Sequence, residues 1–407
     1  MRLLLTYITL SASLQAAELP PTSVIFTKIT LSNKYVSEGA SAADIDADGH
    51  TDLIAGHLWW KGPQFDQSYS YAPIKDFPIE GPGLEGYSTN FFCFPTHITK
   101  DQWPEVLHVG LPGSNAKLYI NPGRAPFSHS NEDKTCRHET VQSHVCNESP
   151  QLQNVLKAEK PQLLSYHQNS ISLATPSAHQ SSDWNILKIS PSHNRLAKYS
   201  HGLGCGDING DSLPDILEKS GWWEQPKNWD KKTPWTFHPY PFAPGKGGSQ
   251  MYAYDIDGDG DNDVITALDA HGYGLSWYEQ TRNQQDQIDF KAHTIMTDQA
   301  SDNPFSVCFS QLHAMGCADI DGDGIKDIVT GKCYFAHNGK DPGAHDPAVL
   351  YWFRTTRNPD GSVLFLPYLI DSNSGVGRQI TCADVNADGK MDIITSSKKG
   401  VFLFIQN

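Results

Sequence analysis

The chain has 407 residues, of which 46 are Asp or Glu and 31 are Lys or Arg, giving a formal net charge of −15. Such an acidic balance without a basic run argues against a nucleic-acid partner, because binding to the phosphate backbone needs clustered cations. Beyond residue 17 no apolar stretch approaches the roughly 20 residues of a membrane-spanning helix, so no membrane span is predicted.

The first 17 residues, MRLLLTYITLSASLQAA, combine one basic residue, an apolar stretch and a small-residue end. This layout is typical of a secretory signal peptide. The sequence therefore predicts a secreted or periplasmic protein whose mature part, residues 18–407, is a single domain. Eight cysteines would allow four disulfides, but their pairing does not follow from the sequence.

A nine-residue pattern occurs five times, with Asp at position one, Asp or Asn at three, and Asp at five and nine. The copies are Asp44, Asp46, Asp48, Asp52; Asp207, Asn209, Asp211, Asp215; Asp255, Asp257, Asp259, Asp263; Asp319, Asp321, Asp323, Asp327; and Asp384, Asn386, Asp388, Asp392. Alternating oxygen ligands in a tight turn are how calcium loops are built. About five structural Ca²⁺ sites are therefore predicted, and they account for much of the negative charge. The sequence identifies no catalytic metal.

The distance between copies indicates further repeats, because the interval from Asp44 to Asp207 is long enough for three units. Two degenerate copies fit inside it, and their pattern positions are His97, Thr99, Asp101, Glu105 and Asn154, Leu156, Ala158, Gln162. Seven units result, two of them without calcium ligands. Each unit has a small-residue strand before the loop, an aliphatic strand after it and then an aromatic strand. Units of this kind predict an all-β, seven-bladed β-propeller with calcium loops between the first and second strands of five blades.

The segments DINGDSLPDIL, DIDGDGDNDVI, DIDGDGIKDIV and DVNADGKMDII resemble the FG-GAP or VCBS repeats of integrin-α-like propellers. The resemblance implies a propeller and calcium binding, and it allows a non-catalytic role in protein interaction or adhesion. The chain also resembles propeller-type carbohydrate lyases and dehydratases in general plan, though more weakly. That resemblance rests on the run His201–Asp207 and on histidines placed near the channel axis.

The end of the channel opposite the calcium loops is the predicted ligand site. Side chains alternate along a strand, so the residues six positions before the first Asp share one side: Glu38, Phe91, Glu148, His201, Ser249, His313 and Arg378. The ends of the second strands and their loops add His57, Glu218, Lys219, His271, Tyr273, Lys332 and Tyr334. From these positions and the nearby tryptophans we select His201, His271, His313 and Arg378 as catalytic candidates, and Glu38, Glu148, Lys219, Trp222, Tyr273 and Lys332 as ligand-binding candidates.

Two functions suit this end of the channel, which we call the mouth. One is binding of a carbohydrate or another small polar ligand, since convergent polar groups in a concavity typify such sites. The other is lyase or dehydratase chemistry, in which His abstracts a proton α to a carbonyl while Arg or a metal stabilises the enolate. Plain polar filling of the channel and packing of Trp222 between blades remain alternatives. A transition-metal site in the loop that carries His337, Asp341, His345 and Asp346 is a further alternative.

Overall fold

The computed structural model describes residues 17–123, 136–177 and 184–407. Of the predicted signal peptide, only Ala17 lies within these residues. The described part consists of strands and turns, with short 3₁₀ turns at Asn194–Leu196, Ala300–Asp302 and Ala336–Gly339. None of its helices is long and apolar enough to cross a bilayer.

The strands form five sheets of four strands and one sheet of eight. The strand β1 (Phe26–Ser32) comes first in the chain and belongs to the last sheet. The first sheet has β2 (Ala40–Ala43), β3 (Asp52–Ala55), β4 (Leu58–Trp60) and β5 (Ser68–Ser70). The second has β6 (Phe92–Thr96), β7 (Glu105–Val109), β8 (Ala116–Tyr119) and β9 (His138–Gln142), and the third has β10 (Gln151–Gln153), β11 (Gln162–His167), β12 (Ser170–Thr175) and β13 (Asn185–Lys188).

The eight-stranded sheet has β14 (Leu203–Gly206), β15 (Asp215–Glu218), β16 (Gly221–Glu224), β17 (Thr236–Pro239), β18 (Gln250–Tyr254), β19 (Asp263–Ala267), β20 (Leu275–Arg282) and β21 (Ile288–Met296). The next sheet has β22 (Met315–Ala318), β23 (Asp327–Gly331), β24 (Leu350–Arg357) and β25 (Val363–Asp371). The last sheet has β26 (Ile380–Ala383), β27 (Asp392–Ser397), β28 (Gly400–Gln406) and β1. Consecutive strands within each sheet pair antiparallel apart from one parallel pair in the eight-stranded sheet.

These sheets make an all-β propeller, but hydrogen bonding gives five separate four-stranded blades instead of the predicted seven. In the eight-stranded sheet the innermost strands β14 and β18 pair in parallel, with Gly204 opposite Met251. Gly204 permits this close approach, because a Cβ there would lie 2.0 Å from the carbonyl oxygen of Met251. The glycine therefore joins what would otherwise be two neighbouring four-stranded units.

The two ends of the described chain meet in the last sheet. Strand β1 pairs antiparallel with β28 and forms the outer edge of that sheet, with Phe26 opposite Gln406. The inner strand β26 lies beside both β22 and β2. The ring is thus closed by an N-terminal strand laid on the C-terminal one, which leaves no open end between the first and last sheets.

The core lies between neighbouring sheets. Successive side chains of each second strand point to opposite faces of its sheet, so they pack against the two sheets on either side. In β3, Leu53 packs with Ile394 of the last sheet, whereas the next residue, Ile54, packs with Val106 of the second sheet. The same division occurs inside the eight-stranded sheet, where Leu217 of β15 packs with Val264 of β19. Uninterrupted aliphatic second strands are therefore required, because both faces of each are buried.

The last carboxylate of each repeat connects its loop to the third strand. Asp215 accepts hydrogen bonds from the backbone N–H groups of Ile208 and Gln225, both at 2.9 Å. The equivalent pair of bonds is made by Asp52, Asp263, Asp327 and Asp392. Burial raises the pKa of Asp215 to about 7 although these two donors lower it.

Both degenerate repeats retain part of this contact. Glu105 accepts from the N–H of Ile98 at 2.9 Å, and Gln162 Oε1 accepts from the N–H of Leu156 at 2.9 Å. Position nine is therefore a backbone acceptor in the repeats that lack the other carboxylates as well. The two degenerate repeats between residues 97 and 162 therefore keep the same spacing as the complete ones.

Candidate functional site

The acidic loops and the predicted mouth lie at opposite ends of the inner strands. In β14, for example, His201 precedes the strand and Asp207 follows it, and Arg378 and Asp384 flank β26 in the same way. Each inner strand has only four or five residues where the pattern is complete, so the register proposed from the sequence places one set of side chains at each end of the channel.

At the acidic end, three loops each bring oxygens of three carboxylates within 4.8 Å of one another. These groups are Asp44, Asp46, Asp48; Asp255, Asp257, Asp259; and Asp319, Asp321, Asp327. Clustered carboxylate oxygens are the donors that Ca²⁺ takes, so the residues fit that ion. Two loops also contact a basic side chain of their own: Lys61 bonds Asp46 and Asp48, and Arg354 pairs with Asp321 at 2.6 Å.

At the other end, Arg378 is the centre of a buried ionic network. Its side chain is 1% exposed, pairs with Glu38, and lies 3.3 Å from Glu148 through Nε. The guanidinium also lies 5.1 Å from the ring of Phe91 and 2.7 Å from Cys333 Sγ. Burial raises the pKa of Cys333 to about 11, so this group is a neutral thiol at neutral pH. Two carboxylates thus compensate one buried guanidinium.

Three histidines meet beside this network. The ring centroids of His201 and His313 are 4.8 Å apart. The ring centroid of His271 lies 5.2 Å from that of His201 and 4.7 Å from that of His313. His201 and His313 are buried, and burial lowers their pKa values well below the ordinary value. Neither ring nitrogen of either residue has a hydrogen-bond partner among the described residues.

His271 is the one member of this cluster with an oriented ring. Its Nδ1 lies 2.9 Å from Asp341 Oδ2, and His337 Nδ1 lies 2.9 Å from Oδ1 of the same carboxylate. Burial would raise the pKa of Asp341, but the bonds from both histidines hold it well below its usual range. The Nε2 of His271 is thereby left to face away from Asp341.

A cavity of about 230 Å³ opens at this mouth. Aromatic, charged, imidazole, aliphatic and glycine residues all line it: Gly83, Leu84, Tyr87, Phe91, Leu111, Glu148, Tyr199, Lys246, His271, His337 and Arg378. His201 and His313 do not line it but contact His271, which does. Arg378, His271 and Glu148 therefore share one cavity, and the two buried histidines lie behind it.

Two loops cover part of the cavity. The amide of Asn338 bonds both the N–H and the carbonyl of Gly81, at 3.3 and 2.9 Å. The hydroxyl of Tyr87 accepts from the N–H of His337 at 2.9 Å. Residues 79–87 and 336–341 thus form one connected rim, which brings Tyr87 and His337 over the cavity.

Several residues selected from the sequence lie outside the cavity lining. Lys219 donates to the carbonyl of Gly245 at 2.7 Å, and Lys332 donates to Ser310 Oγ at 2.9 Å. Tyr273 lies in the His271 loop without reaching the lining, and Glu38 lies behind Arg378. Trp222 is buried and stacks on His238 at 4.1 Å, because it belongs to the outer hairpin of its sheet, where apolar area is covered by packing.

Sequence reasoning did not select Tyr87, Tyr199 or Lys246. All three lie on connections between repeats, where the strand register says nothing about side-chain direction. A signal was nevertheless present: two of these connections, GPGLEGY and APGKGG, concentrate glycines around an aromatic or basic residue. Such segments form ordered turns that are suited to carrying binding residues.

Comparison with known proteins adds one family match. Residues 319–395 match the FG-GAP-like repeat family. Among the curated proteins none matches the chain. Among solved structures, an Agrocybe aegerita lectin described by its specific recognition of non-reducing terminal N-acetylglucosamine is 13% identical, with 95% of this chain and 91% of that chain covered and a TM-score of 0.48. BBS1N, solved in complex with ARL6DN, is 10% identical, with 94% and 96% covered and a TM-score of 0.44.

Proposed function

Because this chain is a β-propeller with an FG-GAP-like repeat at residues 319–395, we propose that it is an exported, calcium-stabilised, seven-bladed propeller. Its function is to bind a small carbohydrate in the cavity opposite the acidic loops. The observation that carries the proposal is the convergence of Tyr87, Tyr199, Lys246 and Glu148 on one cavity at the channel mouth.

The blade number rests on the eight-stranded sheet. Its strands fall into two antiparallel runs of four, β14–β17 and β18–β21, which touch through one parallel pair of inner strands. An apolar cluster containing Leu217 and Val264 lies between the two runs, as between other neighbouring sheets. Counting the runs as two blades gives seven, in agreement with the seven position-nine acceptors.

Calcium is proposed for the five loops with complete patterns. The grouped oxygens of Asp255, Asp257 and Asp259 support this assignment, since within the described part of the chain no side-chain cation lies as close to them as Lys61 lies to Asp46. An exported protein meets abundant calcium, and the N-terminal sequence pattern supports export. Calcium at these loops would stabilise the end of the propeller remote from the cavity.

A carbohydrate suits the cavity better than an apolar ligand. The faces of Tyr87, Phe91 and Tyr199 can cover the C–H surface of a sugar ring, while Lys246 and Glu148 can orient hydroxyl or carboxylate groups. The volume of about 230 Å³ favours one or two sugar residues. Lys246, exposed at the rim, can pair with a uronate carboxylate, whereas Arg378 in the wall is already paired with Glu38 and Glu148, so uronic and neutral sugars are both candidates.

The test is calorimetric titration of the full chain, in calcium, with neutral and uronic mono- and disaccharides. We expect Lys246→Ala to lower the affinity for the best sugar by about tenfold or more, since one charge-assisted hydrogen bond contributes roughly 1.5–3 kcal/mol. Tyr199→Ala should lower the affinity as well, because it removes an aromatic face that covers the sugar ring. Lys227→Ala, on a remote exposed loop, is the matched control. A hit whose affinity is unchanged in both cavity variants would place binding elsewhere.

Turnover is tested on the same sugars by following ultraviolet absorbance of an unsaturated product. A rise that Arg378→Lys abolishes would support lyase or dehydratase chemistry. No rise across uronates and keto-sugars would leave a binding protein.

A second candidate function is protein interaction, and one observation favours it. Ile74, Ile79 and Leu84 are exposed on the segment next to the cavity, at 52%, 44% and 49%. Apolar side chains at such a rim suit a protein partner. Absence of binding across the sugar panel by folded, calcium-loaded protein would favour this function over the first.

A further inference from the structure

We propose that His201, His271 and His313 bind one divalent transition metal ion of the zinc class behind the cavity, where His271 forms part of the cavity lining. The site is separate from the acidic loops, which lie at the other end of the inner strands. It does not depend on the identity of the sugar, so the two proposals can fail independently.

The geometry of the nitrogens is the first argument. One ring nitrogen from each of the three histidines lies within 4.8 Å of the others. Zinc holds imidazole nitrogens at about 2.0–2.1 Å in tetrahedral sites, which sets them roughly 3.3 Å apart. Small side-chain rotations therefore suffice to bring the three nitrogens around one ion.

The missing hydrogen bonds are the second argument. All four ring nitrogens of His201 and His313 are buried and lack a partner among the described residues. Leaving a buried polar atom unpaired costs about 1–3 kcal/mol, so two fully unpaired imidazoles are expensive. The rings meet at 75°, edge to face, instead of sharing a hydrogen bond. A metal ion satisfies one nitrogen of each ring at once.

The support of His271 is the third argument. Metal-binding histidines usually donate their second ring N–H to a carboxylate, which fixes the ring and raises its basicity. Asp341 lies 2.9 Å from Nδ1 of His271, so Nε2 is the nitrogen available for the ion. The sequence pointed to Asp341 and His337 as ligands themselves, whereas the structure gives Asp341 this orienting position.

The backbone is strained next to His313, as is common where a protein holds side chains in position for binding. Gln311 has φ +64°, an unusual value for a residue with a side chain, and its N–H donates to the carbonyl of Gly272 at 2.6 Å. This bond links the segment before His313 to the loop of His271. Strain of this kind persists where the surrounding structure holds residues for function.

The charge around the proposed site is mixed, because Lys219 and Lys246 also act on His201 while carboxylates offset the other cations nearby. Asp341 is hydrogen-bonded to His271, and the guanidinium of Arg378 is compensated by both Glu38 and Glu148. Three protein ligands leave a coordination position open, which is the arrangement of catalytic rather than structural zinc sites. Because His271 lines the cavity, a bound sugar oxygen could reach that position.

The experiment measures zinc alone, without sugar. The full chain is stripped with chelator, returned to excess calcium so that the acidic loops are supplied with their preferred ion, and dialysed against trace Zn²⁺. Elemental analysis is expected to give one zinc per chain. His201→Gln and His313→Gln should lose it, while His108→Gln, another buried histidine with an unpaired Nε2, should keep it.

Two further measurements guard against a folding defect. Asp341→Asn retains all three ligands and should weaken zinc binding by about 10- to 100-fold. Cobalt(II) added to the wild type should give the visible spectrum of a four-coordinate nitrogen site. A wild type that holds no zinc above the His201→Gln background, or an octahedral cobalt spectrum typical of oxygen ligands, overturns the proposal.

Discussion

At the scale of single residues, burial decides which charges matter. Arg378 is almost fully enclosed, yet its charge is matched by Glu38 and Glu148. Such groups add little net stability when complete, because desolvation offsets much of the attraction. Removing one partner is different, since the remaining charges stay buried without compensation.

We therefore expect Arg378→Met to destabilise the protein by about 3–5 kcal/mol, as measured by urea denaturation. Arg137→Met provides the comparison, because Arg137 is also ion-paired but its side chain is 74% exposed. That surface pair should contribute less than about 1 kcal/mol. Equal losses in both variants would contradict a special role for the buried network.

Two other histidines predict a dependence on pH. His57 and His108 contact each other between the first two sheets, and burial lowers the pKa of both. The unfolded chain therefore takes up protons below its ordinary His pKa of about 6.5, whereas the folded state does not. This contribution to stability is complete above that pH and is lost as the pH falls.

The raised pKa of buried carboxylates such as Asp215 acts in the opposite direction, so the test compares variants. Between neutral and mildly acidic pH, the melting temperature of His108→Gln should fall less than that of the wild type. His97→Gln, which alters an exposed histidine, should leave the slope unchanged. A slope that is the same in all three proteins would rule out His108 as a contributor.

At the scale of elements, the position-nine side chain of each complete repeat links the loop after the first strand to the third strand by hydrogen bonds. Asp215 joins the loop after β14 to the start of the connection after β16 through two backbone bonds. The acceptor is also the last carboxylate of the predicted calcium pattern, so its effect has to be separated from that of the ion.

In the presence of chelator, we expect Asp215→Ala to destabilise the protein by about 2–4 kcal/mol, because two buried N–H groups lose their acceptor. Asp215→Asn should cost less, since Gln162 shows that an amide oxygen can accept the loop N–H. Denaturation with chelator present measures both. A larger loss for Asn than for Ala would contradict the acceptor role.

At the scale of the whole molecule, one end of the propeller concentrates carboxylates and the other contains the cavity. The acidic end repels itself unless a cation is present, and only some loops have an internal one such as Lys61. Its stability should therefore respond to calcium more than the cavity end does.

Adding calcium to chelator-treated protein should raise the melting temperature, since an ion at 100 times its dissociation constant contributes about 2.7 kcal/mol per site. Calorimetric scans with calcium, magnesium and chelator measure the effect. Asp257→Asn should reduce the rise, whereas Asp261→Asn, in the same loop but outside the pattern, should not. An identical melting temperature with and without calcium would refute the proposed loops.

The repeat, the all-β propeller and the opposite placement of acidic loops and mouth were all predictable from the sequence. Each nine-residue copy and the strands beside it are local patterns, and their recurrence between Asp44 and Asp392 can be read without the fold. Tertiary structure decided the joining of two units at Gly204, the burial of Trp222, and the position of Tyr87, Tyr199 and Lys246 on loops without a fixed register. The sequence placed His201, His271 and His313 at one mouth, but their direct ring contacts came only from the tertiary structure, because these contacts depend on three separate loops reaching one channel axis.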